Sequence, residues 1–407
     1  MIEQKLFEKT YSQIVNSLLF IFPVVIISVK AAGDLVLFIL AIMGIFISIK
    51  KKLSPFNIKE TKVFSYLAIG YFIAVCLSVF FSGKTELVHY IPRDIYFLFA
   101  PFILLALYKS EVNINYLLAG IKVGLIVLGV IISNQLLSGV GRPSGVMNAD
   151  VFANLTASML FIILVFFQHE PFKYKVFTFV SMLTGFFVII LSGTRGAWLS
   201  LILLLGFYFY FLFKQKTSIS AQSKIIVVLI IAVVLSIAGL NQSVQDRTLQ
   251  AYTETSAWLS GQKEPNSVGL RLEMYQAAIE NIENVPFFGH GLRTSNIVLY
   301  ESTPPKFQKY VVSFNHLHNA YLTNYFNGGI VLLAALLLLL FVPFIIFLKA
   351  NSQNHENPIF IAGALLAVGY SSFGMVNILF GDVFMNAFYV FFMSIFLLQT
   401  AKLTKVS

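Results

Sequence analysis

Two histidines and an asparagine stand together just ahead of a long apolar run. They are His316, His318 and Asn319, in the segment His-Leu-His-Asn-Ala-Tyr-Leu. A neutral imidazole near pH 7 is the usual general base of enzymes, and the amide could hold a sugar hydroxyl or orient the ring. A metal site would need the imidazoles to converge, yet residues two apart share a face on a strand and not on a helix. Because no nearby carboxylate completes a ligand set, the segment favours acid–base chemistry, with a merely structural histidine pair as the alternative.

Two arginines occupy segments in which a guanidinium could bind an anion. Arg195 lies in Ser-Gly-Thr-Arg-Gly-Ala-Trp-Leu, a tight connection between two apolar runs, and Arg271 is followed four residues later by Tyr275. Arginine presents a planar fork of N–H donors that binds phosphate or carboxylate in a bidentate manner. The pattern therefore predicts a phosphate clamp. The alternatives are an Arg195 that snorkels to lipid headgroups and an Arg271 exposed on a helix surface beside Tyr275.

Three further charged residues fall at the same predicted boundary, namely Arg93, Arg142 and Asp382. All three could contact an anionic ligand or the residues that bind it. A carboxylate at the end of an apolar run is a functional candidate, so Asp382 could orient His318 or pair with an arginine. Asp382 could equally be a helix N-cap, and Arg93 and Asp94 could satisfy each other.

The elements that must position these residues are membrane-spanning helices. Of the 407 residues, 58% are hydrophobic and only 11% are charged, whereas a soluble domain carries about 25% charged residues. Such a composition excludes an ordinary soluble enzyme and a disordered chain. Since about 20 apolar residues cross a bilayer, the sequence predicts an all-α integral membrane protein with about twelve transmembrane helices. The predicted spans are 14–30, 33–49, 63–81, 94–108, 115–134, 151–168, 174–192, 197–213, 225–241, 321–348, 358–378 and 382–400.

The distribution of the cations predicts an orientation and argues against nucleic acid as the partner. An even number of spans puts both termini on one side. If that side is the cytoplasm, sixteen lysines lie in cytoplasmic segments against five cations in the short outer loops, as the positive-inside rule requires. All six arginines fall on the outer side, and every cytoplasmic cation is a lysine. This asymmetry indicates an anionic ligand on the outer face, with compositional drift as the alternative.

One connection is long enough to have a function of its own. The chain divides into nine spans (1–241), a large outer loop (242–320) and three spans with a cytoplasmic tail (321–407). A loop beyond about 15 residues is usually functional. Within it, residues 268–284 are predicted as an amphipathic helix with Ser267 as the N-cap and Pro286 as the stop. Its solvated face is expected to carry Glu273, Glu280 and Glu283. We expect the loop to cover the outer mouth of the bundle as a lid.

The motifs that the sequence lacks argue against a binding site for ATP or for a nucleotide-sugar. The sequence has no Walker A motif, no Gly-x-Gly-x-x-Gly after a strand and no Asp-x-Asp that would hold the metal of a nucleotide-sugar. The single cysteine, Cys76, lies in an apolar run and is predicted to be a small hydrophobe. A reaction on the outer side would therefore have to use a donor that is already activated.

The arginine and histidine segments resemble those of the bacterial O-antigen ligases, within the wider O-antigen ligase/polymerase superfamily. Arg195 through Leu199 fits the Arg-x3-Leu motif of that family, and His318-Asn319, nine residues and then Gly329 fit its His-Asn-x9-Gly motif. A large loop that carries Arg271 ahead of the histidine fits the family layout of twelve spans with one long periplasmic loop. The resemblance covers essentially the whole chain.

This resemblance implies a GT-C-type glycosyltransferase of the bacterial inner membrane, with both termini cytoplasmic and the active site at the periplasmic face. The donor would be a glycan carried on undecaprenyl diphosphate. Arg195 and Arg271 would stabilise the leaving diphosphate, and His318 would take the proton of the acceptor hydroxyl in an inverting attack. No cofactor and no metal are implied. The expected substrate-binding residues are Arg142, Arg93, Asn319, Tyr275 and Asp382.

The sequence alone does not identify the acceptor. A ligase transfers the glycan to lipid A–core, a polymerase to a second lipid-linked repeat, and a protein O-oligosaccharyltransferase to a pilin or another protein. A polyprenyl-glycan transporter is the alternative from a different class. It predicts charges deep in several spans, whereas the polar residues of this sequence gather at one face.

Overall fold

Apolar runs of this length fold as helices because a helix satisfies its own backbone hydrogen bonds, which lipid cannot do. The computed structural model describes residues 2–214, 228, 232, 239–240, 242–353 and 357–404, and every regular element within these ranges is helical. Ten of the described helices are long and apolar enough to cross a membrane. The chain is therefore a multi-pass membrane protein of the all-α class.

The described helices fall into three groups along the chain. Those before the large loop are α1 (Ile2–Ser28), α2 (Ala32–Lys51), α3 (Lys59–Ser82), α4 (Ile95–Tyr108), α5 (Ile114–Leu137), α6 (Ala149–Phe167), α7 (Phe172–Ser192) and α8 (Arg195–Lys214). A 3-10 helix at Thr85–Asp94 leads directly into α4. The large loop contains α9 (Gln242–Leu259), α10 (Ser267–Glu280), a 3-10 turn (Ile282–Asn284), α11 (Ser295–Val298) and α12 (Pro305–Val311). The last three helices are α13 (Ala320–Gln353), α14 (Pro358–Phe373) and α15 (Val383–Leu403).

Eleven of the twelve predicted spans coincide with helices. The other, 225–241, falls almost entirely outside the described residues, so the total of twelve stays a prediction. The predicted span 358–378 is wrong at its end, because α14 stops at Phe373 with Gly374 as its C-cap. Residues 374–382 form a connecting loop between α14 and α15. Hydropathy missed this loop because its side chains are mostly apolar and pack against neighbouring helices.

Three helices form the centre of the bundle. Almost all of α6 and most of α14 and α15 are buried. The surrounding helices expose large apolar side chains, such as Phe80 on α3 and Phe172 on α7, as a surface in contact with lipid should.

Helix α13 is broken near its start, and the break fastens the large loop to the bundle. Gly328 and Gly329 leave the helical conformation, with Gly329 at φ 62°. A Cβ on Gly329 would lie 2.0 Å from the carbonyl oxygen of Phe287. The backbone N–H groups of His290 and Gly291 donate to the two carbonyls just before the break, at 2.9 Å each. The glycine of the His-Asn-x9-Gly motif therefore allows this close backbone approach.

The amphipathic helix of the large loop exists, with different ends from those predicted. The N-cap of α10 is Asn266, whose side chain accepts from the Gly269 N–H at 2.8 Å, and not Ser267. The helix ends at Glu280 instead of continuing to 284. Its apolar side belongs to a second hydrophobic core, made of Leu270, Met274, Ala277, Ala278, Leu299, Phe307, Val311, Leu317 and Phe326.

One glutamate of α10 was assigned to the wrong face. Glu273 is buried, with 4% of its surface exposed. Its carboxylate accepts from the Trp258 indole at 3.2 Å and lies 3.3 Å from the Lys263 ammonium. Glu280 and Glu283 are exposed as expected. The reason is that α9 and the segment after it cover the side of α10 that a lone helix would leave in water.

Candidate active site

The six arginines lie at one end of the bundle, in two separate polar cavities. The cavity that we name the four-arginine pocket is lined by Arg142, Arg195, Arg247 and Arg271. The cavity that we name the two-arginine pocket is lined by Arg93 and Arg293. The connecting loop 374–382 contributes residues to both cavities. Three predicted site residues, Arg142, Arg195 and Arg271, are thus brought to one pocket, and Arg93 is placed in the other.

Arg195 is the first residue of α8 and follows a tight turn. Gly193 at φ 62° ends α7 in the left-handed conformation, so the chain reverses within two residues. Nη2 of Arg195 donates to Gln250 at 2.6 Å, and Nη1 lies 3.9 Å from the Glu254 carboxylate. Nη1 is buried and donates to no acceptor in the described part of the chain. A buried unsatisfied donor is costly, and an anionic ligand in the pocket would satisfy it.

Arg142 fixes the same turn from the opposite side. Its guanidinium donates to the Ser192 carbonyl at 3.1 Å, to Asp150 at 2.9 Å and to the Thr194 hydroxyl at 3.2 Å. The residue was predicted to bind substrate. Because most of its donors already have protein acceptors, its direct effect in this structure is to hold Thr194 and the start of α8 in place.

Arg271 lies one turn into α10. In contrast to Arg142, it forms no ion pair within 4.0 Å with any described residue. Its positive charge lowers the pKa of His318 and of His316. The guanidinium therefore lies between the four-arginine pocket and the two imidazoles, where it could bind an anion close to a base.

Arg247 is a site residue that the sequence motifs missed. It belongs to α9, and its guanidinium packs over Gly193, where a Cβ would lie 3.0 Å from Nε and 3.1 Å from Cζ. Glycine at this position leaves the room that the guanidinium occupies. The only sequence signal for Arg247 was its membership in the set of outer arginines, since no motif surrounds it.

The four-arginine pocket carries an excess of positive charge. Its four guanidiniums are opposed by two carboxylates, Asp150 and Glu254, which leaves two uncompensated positive charges. A diphosphate ester carries about two negative charges at neutral pH and offers many acceptor oxygens. Charge and hydrogen-bonding capacity both match such a ligand.

His318 is held next to this pocket by its backbone. It adopts a left-handed conformation at φ 50°, and the Tyr275 hydroxyl donates to its carbonyl at 2.8 Å. The ring packs edge-on against Phe314 with centroids 4.8 Å apart and lies 4.5 Å from the His316 ring. Tyr275 thus positions the backbone of His318, and its predicted contact with substrate stays a prediction. A strained backbone at a candidate base is typical of a functional site.

The His318 imidazole is neutral in the free protein. Burial, followed by the nearby His316 and Arg271, lowers the pKa of His318 to about 3. Burial and the charge of Arg293 lower the pKa of His316 to about 4. Nδ1 of His318 is buried and finds no hydrogen-bond partner among the residues that the structure describes. The ring can therefore accept a proton, and a bound anion would raise its basicity.

Two predicted substrate-binding residues serve as helix caps. Asn319 accepts from the backbone N–H groups of Tyr321 and Leu322, at 3.0 Å each, at the start of α13. Its amide also donates to the carbonyl of Met375 in the connecting loop at 3.3 Å. Asp382 accepts from two backbone N–H groups at the start of α15. The N-cap alternative for Asp382 is therefore confirmed, while a direct contact with substrate stays a prediction for both residues.

The positions of the His316 and His318 rings can be compared with what a metal site would need. The two rings do converge, although neither a helix nor a strand places them together. Over the described residues, no group of three or more His, Cys, Asp or Glu side chains has the arrangement of a metal site.

The two-arginine pocket has a different construction. The guanidinium carbons of Arg93 and Arg293 lie 5.5 Å and 4.8 Å from the ring centroid of Tyr90. Asp94 is buried behind them and accepts from the Gly381 N–H at 3.1 Å and from Asn386 at 2.9 Å. The alternative of a direct Arg93–Asp94 pair is not observed, since the carboxylate is bound by the connecting loop and α15 instead.

The fold and this end of the bundle define a class of protein: a helical membrane protein with a polycationic pocket beside a neutral, strained histidine. Residues 180–337 match the family model described as O-antigen ligase. The chain thus carries an O-antigen ligase domain over that segment, and the resemblance seen in its motifs is confirmed. A curated Haemophilus influenzae protein described as uncharacterized is 26% identical over 361 residues, which cover 86% of this chain and 88% of that protein.

Proposed function

We propose that the protein is an inner-membrane glycosyltransferase that moves a glycan from undecaprenyl diphosphate to an acceptor at the periplasmic face, in the first place lipid A–core. The observation that carries this proposal is the position of the four-arginine pocket beside His318. A pocket with two uncompensated positive charges suits a diphosphate, and the neighbouring imidazole suits an acceptor hydroxyl. The family match supports a lipid-linked glycan as the donor.

In the proposed reaction, the His318 imidazole and the guanidiniums of Arg195 and Arg271 carry out the chemistry. His318 takes the proton of the acceptor hydroxyl, whose oxygen attacks the anomeric carbon and forms the new glycosidic bond. The bond from that carbon to the diphosphate oxygen breaks, and its electron pair leaves with the diphosphate. Arg195 and Arg271 stabilise the charge that develops on the leaving group. Attack opposite to the leaving group inverts the anomeric centre.

Arg247 belongs to the same binding site in this proposal. It faces the pocket from α9, and among the described residues its guanidinium forms no ion pair within 4.0 Å. Arg142 and Tyr275 act through other residues, because the first holds the turn at Thr194 and the second holds the His318 backbone.

Two related functions use the same chemistry with other acceptors: a repeat polymerase, and a protein O-oligosaccharyltransferase. A polyprenyl-glycan transporter fits less well, because the arginines gather at one end of the bundle and do not line a path through it.

The test is a deletion strain that carries either the wild type or His318→Ala, scored on a lipopolysaccharide gel and a glycoprotein blot. A full-length ladder that only the wild type restores, with lipid-linked polymer accumulating in the variant, supports the ligase. Loss of long chains with single repeats still on the core indicates a polymerase. An unchanged ladder with loss of a glycoprotein indicates protein glycosylation. Full complementation by His318→Ala contradicts the catalytic base and favours the transporter.

A further inference from the structure

The two-arginine pocket contains unused hydrogen-bond donors. Arg93 and Arg293 stack against Tyr90, and neither guanidinium forms an ion pair within 4.0 Å in the described part of the chain. The carboxylates nearby are occupied, because Asp94 binds Gly381 and Asn386 while Asp382 caps α15. The N–H donors of the two guanidiniums are therefore free, and their complement is an oxyanion.

Arg293 is also held in a strained conformation. Four non-glycine residues have positive φ in the described ranges: Ala31, Lys52, Arg293 and His318. Lys52 is the C-cap of α2, where a left-handed residue is ordinary, and Ala31 lies in the tight turn between α1 and α2. His318 is the proposed base. Arg293, at φ 60°, flanks no long helix, so its conformation is one that the surrounding structure imposes on a residue with an unused guanidinium.

The location of the cavity relates it to the acceptor. The charge of Arg293 acts on His316, and so do the charges of Arg271 and Asp150, which line the four-arginine pocket. The connecting loop separates the two cavities, with Asn377 lining the four-arginine pocket and Ile378 lining the two-arginine pocket. The two-arginine pocket thus lies on the other side of this loop from the proposed diphosphate site, and charges from both cavities reach His316. In an in-line displacement the acceptor approaches from the side opposite to the leaving group.

We propose that the two-arginine pocket binds an oxyanion on the acceptor saccharide, a phosphate or a sugar-acid carboxylate, through Arg93 and Arg293. This contact positions the acceptor so that its hydroxyl reaches His318. The inference rests on the proposed transferase function and deepens it, since it names the chemical group by which the acceptor is recognised.

The first test measures binding to the purified protein in lipid nanodiscs. The probe is the lipid-free acceptor oligosaccharide in native, dephosphorylated and carboxyl-reduced forms. Saturating inorganic pyrophosphate is present throughout, to occupy the four-arginine pocket. Arg293→Gly preserves the left-handed backbone while it removes the guanidinium. We expect it to weaken binding of the native probe about 10- to 100-fold, as for loss of a charge-assisted contact, without lowering Tm. Whichever chemical treatment of the probe weakens its binding to the wild type identifies the anionic group.

The second test measures glycan transfer. With Arg293→Gly, the acceptor KM should rise by a similar factor while kcat and the donor KM stay nearly constant. Arg293→Lys should restore part of the affinity. Equal binding of native and fully neutralised probes by the wild type contradicts the proposal, and so does a raised donor KM in Arg293→Gly. If the wild type binds the anionic probe through Arg293 and yet transfers no glycan, the proposed function fails while the anion site stands.

Discussion

The two arginine pockets use the same residue type at the same end of the bundle, yet their charges are balanced differently. In the four-arginine pocket, Asp150 and Glu254 leave two positive charges uncompensated. In the two-arginine pocket, Asp94 and Asp382 oppose Arg93 and Arg293 in equal number. A pocket with excess charge suits a polyanion such as a diphosphate. A balanced pocket with free N–H donors suits a single oxyanion on a ligand that is otherwise neutral.

In the proposed transfer, this difference gives each substrate a pocket of its own, and charges from both pockets reach His316. Two carboxylates in the balanced pocket repel an anionic ligand. They weaken the binding of a diphosphate more than that of an acceptor with a single negative charge. In this proposal, counter-charge, more than the number of arginines, decides which substrate each pocket binds. Each of the following predictions changes one component of that arrangement.

The largest effect is expected from a change at the proposed base, His318. His318→Asn tolerates the left-handed backbone but removes the base. We expect kcat to fall about 10³-fold, within the range of general-base catalysis. Binding of inorganic pyrophosphate and of the acceptor should remain within about threefold of wild type, because both arginine sets are intact. Single-turnover transfer and equilibrium binding measure the two quantities, with His316→Gln as the matched control. A variant that retains turnover would falsify the assignment of the base.

A smaller effect is expected when the four-arginine pocket loses one of its charges. Arg247→Ala should raise the Kd of pyrophosphate and the donor KM about 10-fold, with the acceptor KM unchanged. Gly193→Ala should act in the same direction, since the added Cβ would lie 3.0 Å from the Arg247 Nε. Arg247→Lys keeps the positive charge but loses the planar fork of donors. Its Kd for pyrophosphate should therefore lie between those of the wild type and Arg247→Ala. Unchanged pyrophosphate binding in Arg247→Ala would remove this residue from the donor site.

The sequence predicted the parts of this arrangement that depend on local pattern. Hydropathy located eleven of the spans that the structure describes as helices, because lipid exposure requires continuous apolar runs. Short motifs singled out Arg195 and His318, since a turn between two spans and a polar segment ahead of a span fix where such residues lie. Arg271 was found from its place in the large loop.

The remaining features depend on contacts between distant segments. Arg247 could not be recognised because its place in the pocket comes from a glycine 54 positions earlier in the chain. Glu273 is buried only because α9 and the segment after it cover α10. Asn319 and Asp382 looked like ligand residues, yet polar residues at helix starts also serve as caps, and the sequence has no means to separate the two roles.

The pH dependence tests whether the donor pocket communicates with the base. The pKa of His318 is about 3 in the free protein, and a diphosphate near Arg271 raises it. Because the base acts in its neutral form, each rate falls as pH drops through the relevant pKa. The pH dependence of kcat/KM reports the pKa of the base in the free enzyme, and that of kcat reports its pKa in the complex with substrate. Because the bound diphosphate raises this pKa, the acidic limb of kcat should lie at the higher pH. Between about pH 4 and pH 9, kcat should show its acidic limb, while kcat/KM should stay level because its controlling pKa of about 3 lies below that range. Coincident limbs would show that the pocket and the base are electrostatically independent.

The smallest effect is expected when the two-arginine pocket loses a carboxylate and so gains a net positive charge, as the four-arginine pocket has. Asp382→Asn removes one of the two counter-charges but retains a good N-cap for α15, because asparagine and aspartate cap helices about equally well. Stability should therefore hardly change. Affinity for the anionic acceptor should rise about two- to fivefold, since one repulsive carboxylate is gone.

Asp382→Ala separates this charge effect from the cap. It removes the same charge but also the acceptor for the Phe384 and Met385 N–H groups, and should lower the free energy of unfolding by about 1 kcal/mol. Tighter acceptor binding in both variants, with a lower Tm only in Asp382→Ala, assigns the change to charge balance. If acceptor affinity instead falls in Asp382→Asn, the carboxylate contacts the acceptor itself, and the predicted substrate-binding role of Asp382 replaces its role as a counter-charge.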